Sequence, residues 1–282
     1  LLCSTEFIRE GVAQDISSSL DEGPDIIVQR LSGGRQVDVP ENWLQNMSEV
    51  AGVSIATPRV WGYTDIGSGS LLTVMGIEPE EYQQAVNVVG TDILEDGRFL
   101  NTSDYRKMIV GEGIIDLMRA SAAQVQVGVG SFLSLISQNG SLLEFQIIGI
   151  FSSQSKIFSY DLILTDIHSA REVFGLSNES VTDIAVWTDP GAYLNDVAFR
   201  LDTRFSEARI LSRDAISDNM LKTYGGRAGM ISLIWTMMII IVLLITFTVS
   251  SAGSDEVRRE VGLLKALGFD TVDIIEIRMF ET

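Results

Sequence analysis

The sequence predicts an α+β outer domain followed by a membrane-crossing helix, and three observations predict it. Strand-like and helix-like stretches mix between residues 25 and 211 without the long regular βα repeat of a doubly wound parallel sheet. A first β–α–β–β run and a last β–α–β run flank a strand-rich block, an order that suits a split sheet with an insertion. Finally, Ile231–Val249 comprises 19 residues without Asp, Glu, Lys, Arg or His.

Each element has a local reason. Phe7, Ile8, Val12, Ile16 and Leu20 form a helical stripe, which Gly23-Pro24 breaks. Asp25–Leu31 alternates as a strand and meets a Gly33-Gly34 turn; Pro40–Val50 reads as a short helix with Pro near its start. Val53–Tyr63 and Leu71–Ile77 are β-rich and separated by Gly67-Ser68-Gly69, and Gly113–Ala123 is helical. Ser131–Ser137 and Leu142–Phe151 flank Asn139-Gly140, a pair that favours the hairpin turn with two positive φ angles. Asp161–Thr165 is a strand, and Asp166 can cap a helix that ends at Gly175. Thr182–Thr188, the Asp189-Pro190-Gly191 turn, a helix over Tyr193–Phe205 and a strand at Ala208–Leu211 complete the domain.

The apolar run is long enough to matter. At ~1.5 Å per residue it extends about 28 Å, close to the hydrocarbon thickness of a bilayer. Twelve of its 19 residues are Ile, Leu, Val or Phe, each worth roughly −0.3 to −0.6 kcal/mol at a helix centre on the insertion scale. Beyond it, Ser254 can cap a new helix, with Asp255 and Glu256 adding negative charge at its start. Val257, Val261 and Leu264 recur at helical spacing, Lys265 suits the last turn, and Gly268 suits a left-handed closure. Asp270 can then cap a further helix, with Asp273 in its first turn. An amphipathic helix lying at the lipid headgroups would use the same pattern.

Charge and composition narrow the function. The chain carries 38 acidic and 20 basic residues; Ser254–Thr282 holds 7 and 4 of them, leaving 31 against 16 before that point. An acidic surface argues against nucleic acid. The single cysteine, Cys3, excludes an internal disulfide. A start without Met and a stop inside a helical pattern suggest a segment of a longer protein. Arg213, Lys222 and Arg227 before the apolar run balance Arg258, Arg259 and Lys265 after it, so charge alone does not orient it.

Familiar chemistry is missing from the sequence. None of the four lysines follows glycine, so there is no P-loop. Asp116 and Leu133 stand where a dinucleotide fingerprint starting at Gly111 or Gly128 needs its third glycine. His168 is the sole histidine and reads as a surface or capping residue, which leaves too few ligands for zinc. Glu80-Glu81 and Asp21-Glu22 are adjacent pairs whose side chains diverge on regular elements, and no Gly-x-Ser-x-Gly elbow occurs. No catalytic residue, cofactor or metal is expected.

The stretch Glu256-Val257-Arg258-Arg259-Glu260-Val261-Gly262-Leu263-Leu264-Lys265-Ala266-Leu267-Gly268 resembles the coupling-helix motif of FtsX/MacB-type ABC transporter permeases. Val110-Gly111-Glu112, Phe145–Ile150, Asp161–Thr165 followed by Ala170–Phe174, and Asp25–Arg30 are similar to the outer core domain of that family. The resemblance implies four spans, a dimer with a second permease subunit (the same or different), and a cytoplasmic ABC ATPase on each coupling helix. It implies that Glu256, Arg258, Arg259, Glu260 and Lys265 make polar contacts with the ATPase. Val261 and Leu264 would enter its apolar groove, and Gly262 and Gly268 would permit close approach and the turn. Motion driven there would extract or export a lipoprotein, peptide or drug, or switch an attached cell-wall enzyme, with an adaptor as a further partner.

The expected organisation is a membrane-proximal stalk over 1–20 and a porter-like outer core over 21–94 and 182–213. A sabre-like insertion is expected over 95–181 and a membrane-proximal helix over 214–230. The span over 231–250, the cytoplasmic coupling helix over 254–268 and the start of a further span over 270–282 follow. Residues 1 to about 230 would be extracytoplasmic, in a multi-pass protein of the cell (inner) membrane in contact with its lipid. The competing reading is a single-span ligand sensor, which needs a long signalling helix after Val249; a membrane-anchored hydrolase lacks its catalytic constellation.

Overall fold

In the computed structural model, residues 23–65, 71–89, 94–121, 127–151 and 160–272 are described, together with residues 11, 14 and 20. Strands β1 (Ile26–Ser32), β2 (Arg35–Val37), β4 (Val53–Asp65), β5 (Leu71–Ile77), β6 (Leu94–Gly97) and β7 (Lys107–Gly111) belong to one 11-stranded sheet. So do β8 (Phe132–Ile136), β9 (Leu142–Phe151), β10 (Leu162–Asp166), β12 (Asp183–Thr188) and β13 (Ala208–Ser212). The sheet path is β13-β1-β12-β4-β5-β10-β7-β9-β6, with β2 on β1 and β8 on β9. β3 (Val39–Pro40) and β11 (Ser180–Val181) form a separate pair. The helices are α1 (Trp43–Ser48), α2 (Pro79–Val89), α3 (Glu112–Ser121), α4 (Ile167–Phe174), α5 (Leu194–Arg204) and α6 (Arg213–Ala266). This is the mixed α+β domain expected.

Strand alternation sorts the core onto two faces. On one, Val28, Val60, Ile184 and Val186 pack with Met47 of α1, Ala170 of α4, and Val197 and Leu201 of α5. Farther along that face, Val74, Val110, Phe145, Ile147 and Ile163 pack with Ile114 and Ile115 of α3. α4 approaches so closely that a Cβ on Gly76 would stand 2.2 Å from the Ala170 methyl. The opposite face holds Ile77, Ile109 and Leu164 with Leu100, and Trp187 and Ala185 beneath Ala85 of α2.

Along the path, β13, β1, β12, β4 and β5 are antiparallel neighbours; β10 pairs parallel with β5 and antiparallel with β7, and β9 lies parallel to β7. The β5–β10 pair therefore joins strands of 26–77 and 183–212 to strands of 94–166. A buried bidentate ion pair ties β4 to β12: Arg59 donates to both Asp183 oxygens at 2.8 and 3.0 Å, and Trp61 Nε1 adds a third bond at 2.8 Å.

Several boundaries follow local chemistry. Asp166 accepts from the Ser169 N–H at 2.9 Å, and Gly175 closes α4 in the left-handed region at φ 63°. Other details correct the sequence reading. α1 begins at Trp43 rather than Pro40, because Pro40 pairs with Ser180 in the small sheet. At the β8–β9 turn only Gly140 has positive φ, so Asn139 is not left-handed. Instead Gly140 N–H bonds the Ser137 carbonyl at 2.8 Å, and Asn139 Oδ1 accepts from Ser141 N–H at 3.0 Å. The five-residue loop 137–141 closes with a right-handed turn followed by one glycine. The stripe Phe7–Leu20 lies outside the described residues except for 11, 14 and 20. Gly67-Ser68-Gly69 lies outside them too.

Asp104 shows how a loop before β7 is fixed. It accepts from Arg98 at 2.6 and 2.8 Å, from Lys107 Nζ at 2.7 Å and from the Asn101 N–H at 2.9 Å. Its carboxyl is held far below the ordinary value of 3.8, first by the Arg98 bonds, against burial, and then by Lys107 and Asn101. A depressed carboxyl stabilises the fold fully above the unfolded value and loses that contribution as pH falls through its folded value. Asp104→Ala is expected to cost about 2 kcal/mol at neutral pH, Arg98 being half-exposed. The difference from the parent should shrink steadily as denaturation is repeated below pH 3.8.

Candidate functional site

Residues 223–272 form a compact unit apart from the outer domain, built on the later turns of α6. Here the sequence reading needs one correction: Ser254 does not cap a new helix, because α6 continues through it to Ala266. No proline interrupts α6 there, and Gly253 beside Ser254 does not outweigh continuing backbone bonds. Among the described residues no helix is long and apolar enough to cross a membrane. The side chains described in the apolar run are those of 233–249, 17 uncharged residues that are exposed throughout. Leu233 is 70% exposed and Phe247 is 73% exposed, an arrangement that water does not favour.

The helix ends as its glycine demands. Gly268 adopts φ 94°; its N–H bonds the Lys265 carbonyl at 3.1 Å, and the Phe269 N–H bonds the Leu264 carbonyl at 3.2 Å. This pair of reversed bonds satisfies two carbonyls left over at the helix end. Asp270 Oδ1 then accepts from the Thr271 N–H at 2.7 Å, opening the next turn; Asp273 lies outside the described residues.

Each expected coupling residue can be located. Arg258, Arg259, Glu260 and Lys265 are exposed, while Val261 and Leu264, three apart on one face, are half-buried. A Cβ on Gly262 would meet nothing within 4 Å, so its surface is open to another molecule. The Glu256 side chain lies outside those described. These helical turns therefore carry exposed charges, a half-buried apolar pair on one side and a bare glycine.

The outer-domain residues weighed above as candidate chemistry can be placed as well. His168 is exposed on α4. Among the described residues no group of three His, Cys, Asp or Glu could hold a metal ion. Glu80 and Glu81 occupy the first turn of α2, where the helix dipole favours negative charge; burial, then Glu78 and Glu41, push the Glu81 carboxyl up. Asp21-Glu22 lie outside the described residues. Sequence reasoning did not single out Asp25 or Thr188; Asp25 bonds Thr188 with one carboxylate oxygen and Arg213 with the other, where α6 leaves the sheet.

Residues 5–204 match the family model of the MacB-like periplasmic core domain, more than two thirds of the 282-residue chain. The chain belongs to that family. It carries the periplasmic core domain of the FtsX/MacB-type ABC transporter permeases. Among solved structures, the chain is similar to the periplasmic region of MacB from Actinobacillus actinomycetemcomitans. That match has 14% identity and a TM-score of 0.49, covering 73% of this chain and 97% of the other. It is also similar to the extracellular domain of the noncanonic ABC-type transporter YknZ from Gram-positive bacteria. There the identity is 12% and the TM-score 0.47, with 66% of this chain and 99% of that one covered. No curated protein matches the chain.

The two glycines of the MacB-like chain's last helical turns have opposite roles. Gly262→Ala should strengthen the helix by about 0.5–1 kcal/mol, as alanine does in a helix interior. Gly268→Ala should weaken its end by about 1 kcal/mol, because an L side chain is disfavoured at positive φ. Amide hydrogen exchange at Gly268 and Phe269 would report the difference, slowing in the first variant and accelerating in the second.

Proposed function

We propose that this chain is the part of an ABC permease subunit that carries ATP-driven motion across the membrane to its MacB-like outer domain. The observation that carries this reading is the order of events along α6. An exposed, uncharged apolar stretch at 233–249 is followed within ten residues by exposed Arg258 and Arg259, and then by the closure at Gly268. Lipid is the medium that accepts such a stretch, and extending it to Ile231–Val249 gives the roughly 28 Å that a bilayer requires.

In this reading 231–250 spans the membrane and 254–268, the last turns of α6, dock on a cytoplasmic ATPase. Arg258, Arg259, Glu260 and Lys265, with Glu256, supply polar contacts; Val261 and Leu264 fill an apolar groove, and Gly262 lets the partner's backbone approach. The Gly268 turn sends the chain back toward the membrane at 270–282. Two such subunits would pair, each with its ATPase, and ATP binding would draw the two coupling segments together. Hydrolysis belongs to the partner ATPase, consistent with the lack of a P-loop here.

Outside the membrane, residues 21–94 with 182–213 form the porter-like part and 95–181 the inserted sabre-like part. The single β5–β10 pairing between them along the sheet path supports that division. A lipoprotein, peptide or drug would be moved, or an adaptor engaged, by the outer domain. A single-span sensor is disfavoured by the helix stop at Gly268, which cuts short any long signalling helix.

Reversing Arg258 and Arg259 to Glu tests the docking directly. Placing like charges at the contact should weaken ATPase binding by about 3 kcal/mol, roughly a hundredfold in Kd. Co-purification with the ATPase should be lost while the outer domain keeps its unfolding transition. Unchanged association together with unchanged ATP-dependent activity would remove these arginines from the coupling role.

A further inference from the structure

The sheet receives and releases the chain at one point. Ile26 stands opposite Val186 of β12 on one side and Ser212 of β13 on the other. β13 ends at Ser212 and α6 begins at Arg213, with no residue between them. Asp25, just before β1, lies where these three strands meet. The Arg213 N–H donates to the Asp25 carbonyl at 2.8 Å. Arg213 Nη2 donates to Asp25 Oδ1 at 2.8 Å and to the Gly23 carbonyl at 3.2 Å. The other carboxylate oxygen accepts from Thr188 N–H at 2.8 Å and Thr188 Oγ1 at 2.9 Å.

As a charge pair this contact is ordinary: the two side chains are 24% and 22% exposed, and water screens much of the attraction. Its worth is geometric. One carboxylate uses both oxygens, one guanidinium donates to two acceptors, and together they fix the positions of Gly23, Thr188 and Arg213 relative to each other. A strand that turns into a helix without a loop has only its junction dihedrals to absorb bending. Arg213 closes over that junction, and Ser212 Oγ accepts from the Ala215 N–H at 3.3 Å to steady the first turn. β13 is also the last strand of the sheet path, so a pull on α6 reaches the sheet through β1.

We propose that Asp25, Thr188 and Arg213 form a force-bearing clamp that makes the start of α6 and the segment before β1 move as one body with the sheet. Displacement of α6 then reaches the outer domain and is not spent in bending at Ser212–Arg213. The clamp rests on the permease reading above and adds positioning residues to it.

The test uses the full-length permease with its ATPase in lipid nanodiscs. ATP hydrolysis is measured alongside ATP-dependent changes in amide hydrogen exchange over β4 and β12. Asp25→Asn and Arg213→Gln should each leave hydrolysis intact and lose most of the ATP-dependent change. The double variant should lose no more than either single one, because all three cut the same contact. Protection of the β4 amides without nucleotide reports folding. If that protection is lost, Thr188→Val decides, since it keeps the ion pair and removes one bond to Oδ2; it should give a partial loss. A full ATP-dependent change in the variants, or additive losses, would overturn the clamp and leave the permease reading standing. No ATP-dependent change in the parent protein would overturn both.

Discussion

The outer domain depends on strand β1 being paired on both sides by strands from far along the chain. Ile26–Val28 lies against Ile184–Val186, and Ile26–Arg30 against Ala208–Ser212. Closing contacts over such separations is entropically costly, so they must be rewarded by burial. Ile26, Val28, Ile184 and Val186 supply it, all fully enclosed on the face covered by α1, α4 and α5. The same pairing sets the ends of the domain together. Asp25 and Arg213 meet because their strands are neighbours, and whatever enters the domain along α6 arrives beside the segment leading into β1.

The domain's other polar contacts follow the same pattern. Its polar interior is spent on joints: Arg59 with Asp183 between β4 and β12, Asp104 with Arg98 and Lys107 before β7, and Asp25 with Arg213 at the exit. The first is buried on both partners, so breaking one side would leave an unpaired charge indoors. Such joints hold neighbouring strands and loops in register.

Much of the fold was legible because its signals are local. Asp166 and Gly175 bracket α4 by cap chemistry that needs no tertiary partner, and the β8–β9 hairpin is written in alternation around Asn139-Gly140. The turn type was not legible, since Ser137 and Ser141 gather around Asn139 Oδ1 and hold it out of the left-handed region. Nor was the unbroken run of α6 through Gly253-Ser254, where a serine that can cap sits in a helix already under way. The sheet order escaped too: the parallel β5–β10 contact joins strands that nothing in their periodicity links. At the candidate site, the sequence named exposed charges and glycines on a helix. Asp25 and Thr188 carried no signal, because an aspartate before a strand and a threonine at the end of one are ordinary until folding brings Asp25 between Thr188 and Arg213.

The claim at the centre is that the last turns of α6 lie across a membrane from the MacB-like domain. Cysteines placed singly at Asn178 and Leu267, with Cys3 changed to serine, measure this with a membrane-impermeant maleimide on intact cells. Labelling of position 178 in intact cells, and of position 267 only after permeabilisation, is the expected result. Equal labelling of both positions in intact cells would contradict it.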